Sequence, residues 1–127
     1  DRDIHHQKEY MEKFLFITDY ISNHFSENLT LEEVASLAGF SKYHFARLFK
    51  QYTNSSFYKF LNQKRIEYAK SLLLDPELAV TEVAVQSGFS SLSAFLRMFK
   101  QLNLCTPTEF RNMYDSQFQK TPASGKK

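Results

Sequence analysis

Apolar residues fall three and four positions apart along nearly the whole chain, and that spacing predicts helices. Tyr10, Phe14, Ile17, Ile21 and Phe25 make one such stripe, on a first helix that ends before the polar stretch 26–30. Thr30 and Glu33 then have the spacing of a capping box, in which the threonine oxygen accepts the Glu33 amide proton and the glutamate reaches back. The short helix beyond carries Val34, Ala35 and Leu37 and stops at Gly39, where a left-handed turn suits a residue without a Cβ. Ser41 caps a helix over about residues 42–52, and Ser56 caps a longer one running to Leu74, before Asp75 and Pro76 end it. Only three glycines and three prolines occur, and no alternating run of branched residues, so the expected fold is all-α with no strand.

After Pro76 the pattern starts again. Val83 and Ala84 match Val34 and Ala35, and Gly88-Phe89-Ser90 matches Gly39-Phe40-Ser41, all at an offset of 49. From Phe95 the offset is 50, so that Phe45, Arg47, Phe49, Lys50 and Phe60 recur as Phe95, Arg97, Phe99, Lys100 and Phe110, with one residue inserted just after the turn serine. Two copies are a duplication, too few to stack as a solenoid. The second recognition-type helix is expected over about 91–102, and Thr106, Pro107 and Glu109 form a further capping box opening a last helix to about Tyr114. Ala79, where the first copy has Thr30, is a poor cap. The expected organisation is about seven helices: an unstructured start or linker from an upstream domain over 1–7, a first subdomain over 8–55, a linker helix over 56–74, a second subdomain over 75–115, and an unstructured tail over 116–127.

Helix, glycine-containing turn, helix is the plan of a helix-turn-helix unit, whose second helix is offered to the DNA major groove. In the first copy Phe45, Leu48, Phe49 and Tyr52 form a core stripe, which leaves Tyr43, Ala46, Arg47 and Lys50 outside. In the second the stripe is Phe95, Met98, Phe99 and Leu102, which leaves Ser93, Leu96, Arg97 and Lys100 outside; Leu92 is assigned to the core. Arg47 and Arg97 then occupy the same outward position, where an arginine can pair with guanine O6 and N7, while small or apolar neighbours meet thymine methyls. Lys50 and Lys100 suit phosphates, as do Lys42 and His44 near a helix start. The linker helix, 19 residues at ~1.5 Å each, spans about 28 Å, close to the ~34 Å of one duplex turn, so one chain is expected to place both helices in successive major grooves.

Charge sharpens this picture. The net charge is only +2, but it is arranged in blocks: net −5 over 1–33, net +6 over 40–70, and net +4 over 97–127. The positive blocks coincide with the two repeated stretches, which favours a polyanionic partner. At 127 residues and 43% apolar composition, the chain is long enough for a packed domain. Its longest apolar run, Phe14 to Ile17, is far too short to span a bilayer, and a lone Cys105 builds neither a disulfide framework nor a metal cage, so a reducing, cytoplasmic setting is expected. There is no Gly-rich phosphate loop and no nucleophile with a recognisable partner, so no enzyme, cofactor or metal site is expected, nor any small-molecule site. The competing reading is a helical protein–protein interaction module that does not bind DNA.

The second unit, "VTEVAVQSGFSSLSAFLRMFKQLNLCTPTEFR" (Val80 to Arg111), resembles the signature of the AraC/XylS family of bacterial transcription regulators, including Gly88-Phe89, Phe95, Phe99-Lys100, Pro107 and Phe110-Arg111. The resemblance covers nearly everything from Ile17 to Tyr114. It implies seven helices in two helix-turn-helix units joined by a linker helix, binding to double-stranded promoter DNA, and activation through contact with RNA polymerase. By position it implies base reading by Tyr43, Ala46, Arg47, Ser93, Leu96 and Arg97. Backbone contacts are implied at Ser41, Lys50, Ser91 and Lys100 and at the helix starts near Ser56 and Thr106. The chain departs from the family pattern at Asn54-Ser55-Ser56-Phe57, and at Leu104, where glycine is usual.

Overall fold

The structure, a computed structural model, describes residues 2–119. Seven α-helices follow one another: α1 Arg2–His24, α2 Leu31–Ala38, α3 Lys42–Thr53, α4 Phe57–Leu73, α5 Val80–Gln86, α6 Leu92–Asn103 and α7 Pro107–Tyr114. No strand occurs among the described residues. The chain divides into two compact units, Asp1–Lys64 and Arg65–Lys127, and the boundary falls inside α4.

The first unit is organised by aromatic rings. Phe14 and Ile17 of α1, Val34 of α2, Phe45 and Phe49 of α3, and Phe57 and Leu61 of α4 are all buried in one core. Phe14 stacks on Phe45 at 5.5 Å and on Tyr52 at 5.3 Å, and Phe49 meets Phe60 edge-on at 5.5 Å. Each such ring contributes about 1.5–3 kcal/mol on burial, so α3 is anchored along one side for its whole length. Its ends are fixed locally. Thr30 Oγ1 accepts from the Glu33 N–H at 3.1 Å while Glu33 Oε1 accepts from the Thr30 N–H at 3.1 Å, completing the expected capping box at α2. Gly39 then takes φ 79°, and the Phe40 N–H donates to the Ala35 carbonyl at 3.0 Å. A Cβ at Gly39 would meet only Lys13 Nζ, at 3.7 Å, so the positive φ and not crowding is what requires glycine. Lys13 closes this turn, donating to the Ala38 carbonyl at 2.9 Å with its ammonium 5.0 Å from the centre of the Phe40 ring.

The second unit repeats the scheme with fewer rings. Ile66, Ala69 and Leu73 of α4, Val83 and Ala84 of α5, and Phe95 and Phe99 of α6 are buried together, with Phe110 of α7 edge-on to Phe99 at 5.8 Å. Thr106 and Glu109 form the expected capping box at α7. At α5 only half of a box exists: Glu82 accepts from the Ala79 N–H at 3.1 Å, and alanine has no oxygen to return the bond. A guanidinium supplies what the second unit lacks in caps. Arg111 donates to the carbonyls of Leu73, Asp75 and Leu78 at 2.8, 3.1 and 2.7 Å, tying the α4–α5 loop to α7.

Several sequence expectations are corrected. Helix α1 starts at Arg2, so residues set apart as an unstructured start are helical. The buried positions of α4 are Phe57, Leu61, Ile66, Ala69 and Leu73, while Tyr58 and Tyr68 are exposed. Leu37 is exposed as well, and Leu92, assigned to the core, is 39% exposed. Ser91 caps α6, accepting from the Ala94 N–H at 3.1 Å, so the residue inserted in the second turn is Ser90 rather than one that follows it. Beyond α7 the chain continues as a π-helical turn, Asp115–Gln119; the remainder of the tail expected to be unstructured, 120–127, lies outside the described residues.

Candidate nucleic-acid interface

Burying Phe45, Leu48 and Phe49 turns the opposite side of α3 to solvent. Tyr43 is 75% exposed, Arg47 and Lys50 are exposed, and Ala46 is half-buried between them. Together with Ser56 and Tyr58 these residues border an open hollow of about 610 Å³, so the structure gathers all of the base-reading candidates of the first copy at one place. Tyr58, on α4, is not singled out by the sequence pattern. Its hydroxyl accepts from the Leu31 N–H at 3.3 Å, which fixes one wall of the hollow. In the second copy Phe95 and Phe99 are fully buried, and Ser93, Leu96, Arg97 and Lys100 are exposed together. Leu96, at 39% exposure, is on the outward side as expected.

The helix starts divide into two kinds. Helices α2, α5 and α7 carry carboxylates in the first turn, at Glu32 and Glu33, at Glu82, and at Glu109. Helices α3, α4 and α6 carry none. A carboxylate there neutralises the positive end of the helix, so only the second group presents it to an anion. Ser41 and Ser91 accept from the amides of His44 and Ala94 at 3.2 and 3.1 Å, and Ser56 accepts from the Lys59 N–H at 3.2 Å. In each case the oxygen is used as an acceptor, and the hydroxyl proton is available to a phosphate.

Other phosphate candidates are already engaged. Lys42 Nζ pairs with Glu32 at 2.9 Å, which raises the lysine pKa and holds the Glu32 carboxyl below its ordinary value. His44 is half-buried against Phe40, with ring centres 5.1 Å apart, and against Tyr10 at 6.4 Å. At Thr106 the Glu109 carboxylate occupies the cap, and the hydrogen bond to the Thr106 backbone lowers its pKa; the next residue, Pro107, has no N–H to offer. On α4, Lys70 pairs with Glu67 at 3.6 Å and lies 5.8 Å from the Phe110 ring centre, and Lys64 lies 5.2 Å from that of Phe60. Among the described residues no cluster of His, Cys, Asp or Glu is arranged to hold a metal, and no helix is long and apolar enough to cross a membrane.

Comparison with known proteins places the chain in a family and a fold. A helix-turn-helix domain family matches residues 34–113. The chain belongs to the AraC/XylS-type helix-turn-helix family. An uncharacterised HTH-type transcriptional regulator of Staphylococcus aureus strain COL is 39% identical over 95 residues, which is 75% of this chain and 13% of that protein. The regulatory protein PocR of Salmonella typhimurium is 37% identical over 92 residues, which is 72% of this chain and 30% of PocR. The chain thus spans well under half of the curated relatives it matches. Among solved structures, the DNA-binding domain of AdpA in complex with a target DNA superposes with a TM-score of 0.79 at 26% identity, covering 84% of this chain and 96% of that one. The C-terminal domain of AraT, a response regulator from Geobacillus stearothermophilus, gives 0.75 at 33% identity, covering 80% and 84%. The two-unit, seven-helix AraC/XylS-type fold expected from the sequence is the one found.

Proposed function

We propose that this chain is the double-stranded DNA-binding part of a transcription regulator, with α3 and α6 each entering a stretch of major groove. The observation that carries the reading is the equivalence of Arg47 and Arg97. Each is exposed, and each is followed three residues later by an exposed lysine, on a helix whose other side is fixed by two buried phenylalanines and whose first turn lacks a carboxylate. In this reading Arg47 and Arg97 pair with base edges, Tyr43, Ala46, Ser93 and Leu96 shape the fit, and Lys50, Lys100, Ser41, Ser56 and Ser91 hold phosphates. Lys42, His44 and Thr106 have lesser parts, since their polar groups or rings are already in use. Activation of transcription and contact with RNA polymerase belong to the same proposal.

The test is binding of the purified chain to a pool of random duplexes, followed by a salt titration of the selected sequence. Neutralising 6 to 10 phosphates weakens binding by about 10³–10⁵ between 50 and 200 mM salt. Enrichment of one sequence with that steep dependence is the expected result. Binding that is absent, or indifferent to salt, overturns the proposal and leaves the protein-interaction module as the reading.

A further inference from the structure

Leu92 and Leu96 of α6 are four residues apart, so they lie one above the other on the same side of the helix. Each is 39% exposed. Neither is needed to close the second core, which is filled from α6 by Phe95 and Phe99 with Met98 and Leu102 packed against them. The first copy shows what this position does when it has a structural task. There Lys42 stands where Leu92 does, and it is tied to Glu32 at 2.9 Å. The second copy has changed both partners, with Leu92 for the lysine and Thr81 for the glutamate, so the ion pair is gone. Likewise Ala46 has become Leu96. The result is an aliphatic strip beside Ser93 and Arg97, with Lys100 one turn on, at a helix start without a carboxylate.

An apolar strip on the flank of such a helix, bordered on its outward side by Arg97 and Lys100, fits a ligand that carries apolar groups beside an anionic edge. The thymine-bearing major groove has that character: C5 methyl groups project into it, with phosphates on both sides. Resting on the DNA-binding reading above, we propose that Leu92 and Leu96 form a specificity pair that reads the C5 methyls of neighbouring thymines, next to the base contacted by Arg97. Helix α3 has no counterpart, because Lys42 and Ala46 occupy the equivalent positions. The leucine-dependent thymine requirement therefore belongs to the α6 half of the site, and any methyl contact in the other half falls to Tyr43 and Ala46.

The experiment replaces thymine by deoxyuridine, which removes the methyl and leaves base pairing intact. The selected duplex is resynthesised with single thymine-to-deoxyuridine changes at every thymine, and the affinity of the unaltered chain is measured for each. The half read by α6 is identified as the half whose base preference is lost in Arg97→Ala. The expected result is a loss of about fourfold per methyl at one or two neighbouring positions in that half. In Leu92→Ala and Leu96→Ala, thymine and deoxyuridine at those positions bind alike. Equal affinity of the unaltered chain for every deoxyuridine duplex overturns the pair while leaving the DNA-binding reading intact. Methyl sensitivity that survives both substitutions in the half read by α6 also overturns it, by assigning those methyls to other residues. If no duplex is selected at all, the underlying reading fails and takes the pair with it.

Discussion

Arg111 Nε donates to the carbonyl oxygen of Leu73 at 2.8 Å, across 38 residues of sequence, and the same guanidinium reaches the carbonyls of Asp75 and Leu78. Those three carbonyls lie at the end of α4 and in the loop before α5, where the Ala79 start has no side-chain cap. One planar cation with several fixed donors thus does the work of a missing local signal. Arg111→Ala leaves these carbonyls to water and loosens the loop. The expected cost is about 2–4 kcal/mol, from hydrogen bonds to a charged donor. Urea unfolding checks it, and Arg111→Lys recovers less than half, because an ammonium lacks the fork.

Leu104 ends α6 at φ 62° and is 86% exposed. A left-handed leucine carries the crowding of its Cβ against the carbonyl without compensating burial. Leu104→Gly therefore stabilises the chain by about 0.5–1 kcal/mol, net of the extra freedom glycine has when unfolded. Asn54, the equivalent residue of α3 at φ 60°, tolerates this region better, and Asn54→Gly gains less. A paired measurement of the two melting temperatures decides the matter.

Ser87 is fully buried, and its hydroxyl has no hydrogen-bond partner among the described residues. The first copy has Ala38 at the matching position. Removing an unpaired buried hydroxyl gains about 1 kcal/mol, so Ser87→Ala raises the denaturation midpoint. A drop in the midpoint instead means that the hydroxyl is bonded in solution.

The two cations on the outward side of α6 are expected to behave differently when removed. Arg97→Ala flattens base preference in one half of the site, at about 1–3 kcal/mol for a bidentate pair. Lys100→Ala weakens all sequences alike and makes the salt dependence shallower. Competition binding against single-base variants separates the two. Loss of preference in both halves from Arg97→Ala argues against the assignment.

Two carboxylates make the fold acid-sensitive. Glu32 and Glu109 are both held below their ordinary value of 4.5, by Lys42 and by the Thr106 backbone respectively. Because the folded state binds the ionised form, their contribution is complete above pH 4.5 and is lost as the pH falls through the lowered values. Glu32→Gln and Glu109→Gln therefore each reduce the fall in melting temperature between neutral and acidic pH. Parallel curves for variant and parent count against it.

Much of this was legible in the sequence, because helix spacing, capping pairs and an internal duplication are all local or periodic signals. The capping boxes at Thr30 and Thr106 and the outward positions of Arg47 and Arg97 are examples. Leu92 was misplaced because periodicity separates the two sides of a helix but not its flanks, and a leucine on a flank looks like core. The buried side of α4 is hard to read because it steps from Leu61 to Ile66, and that step of five breaks the three-and-four rhythm. The role of Arg111 was invisible because its acceptors are backbone carbonyls, which every residue has, more than 30 positions away. The same holds for Lys42, whose engagement depends on how the turn brings Glu32 within 2.9 Å.

The carboxylate-free starts of α3, α4 and α6 also change how the molecule's electrostatic pull should be counted. A helix end of this kind holds roughly half an elementary charge that belongs to no side chain. Each is balanced by about half a negative charge at the far end of the same helix, so the formal total of +2 is unchanged and only the local placement of positive charge differs. A tally from composition therefore misses where on the surface an anion is drawn, and that local pull is built into the backbone, out of reach of pH.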